Sequence, residues 1–82
     1  MTEEAPKEHE YEFFVDAQKY DTNSPTLTGA EIKAKAGITP TYQLYEEEEG
    51  ETPDKPISDG EAVNLRGKIK HFYAVPPATF GI

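Results

Sequence analysis

The sequence contains no cysteine. That excludes disulfides, thiolate metal sites and cysteine nucleophiles, and it suits a reducing cytoplasm, the expected location. Basic residues are scarce: eight Lys and Arg face sixteen Asp and Glu, for a formal net charge of −8. Such a chain repels phosphate backbones and anionic membrane surfaces, so neither nucleic acid nor membrane is expected as a partner. Basic protein surfaces, by contrast, are steered towards it. No apolar run approaches the roughly 18 residues of a membrane span. The opening MTEEAPKEHE is polar and acidic, unlike a signal or transit peptide. No internal repeat is visible.

Recognisable chemistry is equally sparse. His9 and His71 are too few and too far apart in the chain to announce a metal site. Ser24, Ser58 and these histidines show no spacing of a hydrolytic triad. The run Glu46–Glu51 lacks the spaced Asp/Asn ligands of a calcium loop, and no glycine-rich loop would cradle phosphate. At 82 residues the chain holds at most one domain. A domain of that size buries only about 60–65% of its unfolded surface, which leaves no room for a deep substrate cavity. These absences describe a protein that is not an enzyme and that carries no cofactor or metal.

What the sequence does contain is one well-punctuated helix, in Leu27–Pro40, LTGAEIKAKAGITP. Thr28 is a good N-cap, and Glu31 three residues on completes a capping box. Leu27 and Ile32 can close over the first turn as a hydrophobic staple. Gly37 supplies a left-handed residue past the end, Ile38 can fold back on Ile32, and Pro40 blocks continuation. These signals predict a helix of about nine residues, shorter than the usual mean. So short a helix is unstable alone and must lie on a sheet. Ile32 and Ala36 are expected inward, with Lys33 and Lys35 in water.

The rest reads as strand, turn or tail. Residues 1–10 are acid-rich and predict a disordered lead-in. Tyr11–Val15 is a strand with Tyr11, Phe13 and Val15 on the core face and Phe14 on the other. Asp16-Ala17-Gln18-Lys19 makes a polar turn without the usual hairpin glycine. A second strand around Tyr20–Thr22 is held to the sheet edge by Pro25. Tyr42–Tyr45 is a third strand, Glu46–Glu51 a solvated loop, and Ile57 marks a short fourth. Ala62–Leu65 reads as one helical turn or an irregular crossing, with Val63 or Leu65 buried. Ile69–Val75 is the last long strand, its facing ambiguous. The order implies an α+β domain over residues 11–75, a mixed four- to five-stranded sheet packed on one helix. Parallel pairing of the first and last long strands would make it a β-grasp. An extended arm, residues 76–82, follows.

The segments YEFFVDAQKY, TLTGAEIKAKAGI, EEEEGE and FYAVPPATFGI resemble the bacterial multiubiquitin-domain family. IKAKAGITPTYQLY is similar to the helix end, loop and third strand of ubiquitin. The resemblance covers about residues 11–82, and PPATFG is its most specific piece. The family is named for tandem copies, whereas this chain holds one. The resemblance implies a β-grasp fold and a ubiquitin-like modifier. The partners it implies are an ATP-dependent activating enzyme, a conjugating enzyme, a processing metallopeptidase and target proteins.

The arm suits that role chemically. Pro77 pushes Pro76 towards an extended, polyproline-like geometry, so PPAT, Pro76 to Thr79, forms a stiff, extended spacer. Thr79 and Phe80 are then held off the body for recognition, with Phe80 able to fill an apolar pocket. Gly81, without a Cβ, can thread a narrow enzyme channel. For Gly81 to carry the reacting carboxylate, the Gly81–Ile82 bond must be cleaved. The alternatives are that Ile82 is itself the active terminus, or that no conjugation occurs. Lys33, Lys35, Lys55, Lys68 and Lys70 are candidate acceptors for chain formation. Phe14, Tyr45 and Phe72 are candidate anchors of an interaction surface on the outer sheet face. Two rival functions stand beside the modifier. One is a non-covalent interaction domain. The other, ranked last because Phe80-Gly81 departs from a Gly-Gly ending, is a β-grasp sulfur carrier.

Overall fold

A computed structural model describes residues 10–78. In chain order its elements are β1 (Tyr11–Val15), β2 (Gln18–Thr22), β3 (Thr26–Thr28), α1 (Gly29–Lys35), β4 (Gln43–Glu46), β5 (Lys55–Ile57), β6 (Ala62–Asn64) and β7 (Lys70–Val75). Five strands form a mixed sheet in the order β2-β1-β7-β4-β5. Its central pair, β1 and β7, is parallel, and every other pair is antiparallel. One helix packs on this sheet, so the fold is the expected α+β, ubiquitin-like β-grasp. The lead-in expected over residues 1–10 lies, but for Glu10, outside the described residues.

The helix is bounded as its cap residues dictate. Glu31 N–H donates to Thr28 Oγ1 at 3.2 Å, and Thr28 N–H donates to Glu31 Oε1 at 2.8 Å. Each side chain thus satisfies an otherwise orphaned amide. At the other end Gly37 has φ +71°, Gly37 N–H donates to Ala34 O and Ile38 N–H to Lys33 O. That pair of bonds is a Schellman motif. Ala36 and Ile38 both pack against the core. The helix itself has seven residues, Gly29–Lys35, and spans nine with its caps Thr28 and Ala36.

β3 pairs with β6 in a separate two-stranded sheet, with Leu27 opposite Val63. Ala62–Leu65 is therefore not a helical turn. Val63 and Leu65 are both buried while Ala62 and Asn64 are exposed, an alternation that only a strand produces. Leu65 N–H donates to Pro25 O at 2.8 Å, and Gly29 N–H to Glu61 O at 3.1 Å, so the small sheet also ties down the helix start. Gly29 is needed there: a Cβ would lie 2.3 Å from Ser58 O.

The β1–β2 turn is tighter than expected. Val15 pairs with Gln18, which leaves a two-residue loop, and β2 consequently begins at Gln18. Asp16 and Ala17 both have positive φ, 52° and 68°, the type I′ geometry that matches strand twist. Asp16 tolerates this region, whereas Ala17 bears a cost of about 1–2 kcal/mol in it.

Phe13, Val15, Ile32, Leu44, Ile57 and Phe72 are essentially inaccessible and form the heart of the core. Phe13 and Phe72 meet edge to face across the parallel β1–β7 pair, centroids 6.2 Å apart. Burial settles the facing of β7, with Phe72 inward and His71, Tyr73 and Val75 outward. Phe72 was an expected surface anchor; at 1% exposure it is a core residue instead. Ile69 precedes β7 and is 45% exposed.

Two further expectations about charge fail. Glu46 is not in a solvated loop. It lies in β4 opposite Phe72, with Lys70 Nζ at 3.4 Å, where a half-buried site favours a paired carboxylate. Lys33 is not in water. It is 4% exposed, and its Nζ contacts Asp59 Oδ1 at 2.8 Å and donates to Pro40 O at 2.7 Å and Tyr42 O at 2.8 Å. Three acceptors match the three donors of an ammonium group, so burial leaves nothing unsatisfied. The loop that returns from α1 to β4 folds over this side chain, a long-range event that the helical pattern does not report.

Candidate functional site: the outer sheet face and the carboxyl-terminal arm

Alternation along the strands leaves one face of the large sheet without a helix. Two aromatic stacks lie on it. Phe14 and His71 are directly opposite in the parallel β1–β7 register, and their rings stack at 4.8 Å and 7°. Tyr45 and Tyr73 are directly opposite across β4 and β7, at 5.3 Å and 11°. Phe14, Tyr45 and Tyr73 are half-buried and His71 is exposed. Val75, 39% exposed, continues this surface towards the arm.

The tyrosine stack is anchored from the β4–β5 loop. Tyr73 Oη donates to Asp54 Oδ2 at 2.7 Å, while Glu48 N–H donates to Asp54 Oδ1 at 3.0 Å. The Glu48 amide, and after it the Tyr73 hydroxyl, hold the Asp54 carboxyl below its ordinary range. The same carboxylate pushes the Tyr73 phenol up to about 12. A loop made largely of acids is thus fastened to the sheet by one aspartate. Beside it a shallow groove of about 380 Å³ is lined by Glu46–Glu49, Lys68, Lys70 and His71. Among the described residues no cluster of His, Asp and Glu could hold a metal ion.

The arm leaves from the centre of the sheet. Val75 ends β7 opposite Gln43, and Pro76, Pro77 and Ala78 follow, all exposed. Proline has no N–H, so neither residue can donate to a ladder, and the strand stops there. Of the expected arm residues, Thr79, Phe80, Gly81 and Ile82 lie outside the described residues. Phe14 and Tyr45 are brought together with His71 and Tyr73, two residues not anticipated as surface partners. The signal for them was available: once β1 and β7 pair in parallel, Phe14 must fall beside His71.

With this geometry in place, the sequence matches the multiubiquitin family over residues 11–76. The chain belongs to the multiubiquitin family. Comparison with curated proteins and with solved structures gave no match. The family match closes at Pro76, so it takes in both aromatic stacks and the first proline of the arm.

The lysines of this multiubiquitin domain are unequal. Lys19, Lys55, Lys68 and Lys70 pair with Glu12, Glu61, Glu49 and Glu46 at 3.1, 3.1, 3.3 and 3.4 Å. The Lys55 ammonium is held above its ordinary value, chiefly by its hydrogen bond to Glu61. Lys33 is sequestered, which removes it from the candidate acceptors. Lys35, exposed in the last helical turn, has no ion-pair partner among the described residues. No helix among the described residues is long and apolar enough to cross a membrane.

Proposed function

We propose that this domain is a bacterial ubiquitin-like modifier, itself not an enzyme, whose Gly81 carboxyl group is activated and transferred to target proteins in the cytoplasm. The observation that carries the reading is the exit of an exposed, proline-stiffened arm from the central strand of a ubiquitin-like fold. A metallopeptidase adds water across the Gly81–Ile82 bond and frees the Gly81 carboxylate. In an activating enzyme that carboxylate attacks the α-phosphorus of ATP and expels pyrophosphate, giving an acyl adenylate. An enzyme thiol then displaces AMP, losing its proton and forming a thioester, which a conjugating enzyme passes to a nucleophile on the target. Pro76 and Pro77 hold the reacting end away from the body, so the globule docks outside while the glycine enters the channel. Thr79 and Phe80 provide side-chain recognition along the way.

Incubation with the cognate enzymes and ATP, read by intact mass, tests the reading. Loss of Ile82 and mass adducts on enzyme or target are expected. An unchanged chain with no adduct rules the reading out.

A second reading is favoured by the two part-exposed stacks, Phe14–His71 and Tyr45–Tyr73, on the open sheet face of an acidic molecule. Aromatic residues on an open sheet face are suited to non-covalent docking of a partner with an apolar centre and basic rim. In that case deletion of Gly81 and Ile82 leaves activity intact. A sulfur-carrier role ranks last, since Phe80-Gly81 replaces the Gly-Gly ending.

A further inference from the structure

The large sheet has two edges, and they differ. At one edge β5 contains Pro56, which has no N–H to offer, and Gln43 Nε2 already occupies Ile57 O at 3.1 Å. At the other edge β2 pairs with β1 alone. In a two-residue hairpin the residues flanking the turn exchange both backbone hydrogen bonds, and such pairs alternate along the ladder. Val15/Gln18, Phe13/Tyr20 and Tyr11/Thr22 are therefore the bonded pairs of this register. The N–H and C=O groups of Lys19 and Asp21 point away from β1, towards the open edge.

We infer that two copies of this chain associate through β2, antiparallel and centred on Tyr20. This register is complementary to itself. It sets Lys19 of each copy opposite Asp21 of the other, and these are the residues whose backbone groups are unspent. Four backbone hydrogen bonds and two cross-strand ion pairs form at once. Charge within one copy also calls for this neighbour. Glu12 and Asp21 are directly opposite on the outer face, a like-charge pair that is unfavourable in a sheet. Lys19 lies 3.1 Å from Glu12, while Asp21 has no ion-pair partner among the described residues. The second copy's Lys19 supplies the missing cation. On the inner face Tyr20, half-buried and stacked on Phe13 at 5.9 Å, meets its own counterpart and prolongs the core. The two-fold axis runs perpendicular to the sheet, so both copies present their Phe14–His71 and Tyr45–Tyr73 stacks on the same side. The result is a continuous ten-stranded sheet with a bivalent outer face. One five-residue strand per copy falls well short of the roughly 1,200–2,000 Å² of a stable complex, so the dimer is weak. The inference is independent of the conjugation reading.

A charge-exchange series tests it by sedimentation velocity over a concentration series reaching about 1 mM, the range in which weak association is populated. Lys19→Asp places two acids opposite one another, and Asp21→Lys places two lysines opposite. Each single variant weakens association at least tenfold. The double variant restores complementarity and returns to within threefold of the native chain. Far-UV circular dichroism verifies that each variant is folded. Asp21→Lys is the sharpest arm, because it lowers the net negative charge and would strengthen any association limited by overall repulsion. A native chain that is monomeric throughout overturns the inference. So does a dimer that the single variants leave unchanged, which would place the contact on another surface.

Discussion

Lys33 Nζ lies 2.8 Å from Asp59 Oδ1, joining a lysine that is almost wholly buried to an aspartate that is largely exposed. The ammonium group also holds the carbonyls of Pro40 and Tyr42, so one side chain fastens the helix to two separate loops. Lys33→Ala strips three acceptors of their donor and is expected to cost about 1–3 kcal/mol. Asp59→Asn keeps the two carbonyl contacts and leaves a solvated partner, so its cost is expected to be under about 1 kcal/mol. Urea unfolding of the two variants checks the ordering; equal losses would show that the carbonyl contacts contribute nothing.

Ala17 occupies the left-handed region at φ 68°, second in a two-residue turn. Glycine adopts that conformation without strain but loses more entropy on folding. Ala17→Gly is accordingly expected to stabilise by about 0.5–1 kcal/mol, as the strain relieved exceeds the entropy added. Thermal and urea midpoints read the change directly, and a destabilised variant would mean the turn differs from type I′.

Phe14 and Phe72 are one strand apart and face opposite ways. Phe72→Ala empties a packed core position and is expected to cost about 3–5 kcal/mol. Phe14→Ala removes a half-exposed ring and is expected to cost about 1 kcal/mol or less. Partner binding, where it uses the outer face, should fall for Phe14→Ala in a domain that remains folded. Comparable losses of stability would place both rings in the core.

The Tyr73 phenol is held above its ordinary value chiefly by the hydrogen bond it donates to the Asp54 carboxylate, which deprotonation would break. Absorbance at 295 nm should show one of the five tyrosines titrating near 12, and Asp54→Asn should return it towards the ordinary value of 10.0. The linked effects on stability have opposite signs. Tyr73 has a raised pKa in the folded state, so its contribution is complete below pH 10.0 and is lost as pH rises through about 12. Asp54 has a lowered one, so its contribution is present above pH 3.8 and fades as pH falls through its depressed value. Asp54→Asn should flatten both limbs of the stability profile.

The helix ends were legible because they depend on local chemistry; the parallel β1–β7 pairing joins residues more than fifty positions apart and was expected only as the condition for a β-grasp, which the family resemblance implies. Thr28, Glu31, Gly37 and Ile38 announce caps that the backbone then makes. β3 and β6 were not legible: each is three residues long, too short for alternation to stand out, and each exists only because the other pairs with it. Lys33 was misplaced for a related reason, since a helical pattern shows which side faces the sheet but not which loop returns across it. Phe72 was misplaced because IKHFYAV places apolar residues on both faces, and only the register with β1 and β4 decides between them. The outer aromatic face was half legible: Phe14 and Tyr45 stood out singly, whereas their partners His71 and Tyr73 emerge from strand pairing.

The central claim is that the Gly81 carboxylate is the reacting group, and reversible adenylation reports on it most directly. The measurement is pyrophosphate–ATP exchange by the cognate activating enzyme, with the chain ending at Gly81, the chain retaining Ile82, and the chain ending at Phe80. Exchange that is supported by the first and lost in the other two is the predicted result. Exchange that is equal for all three, or absent with the Gly81-ending chain, contradicts the account.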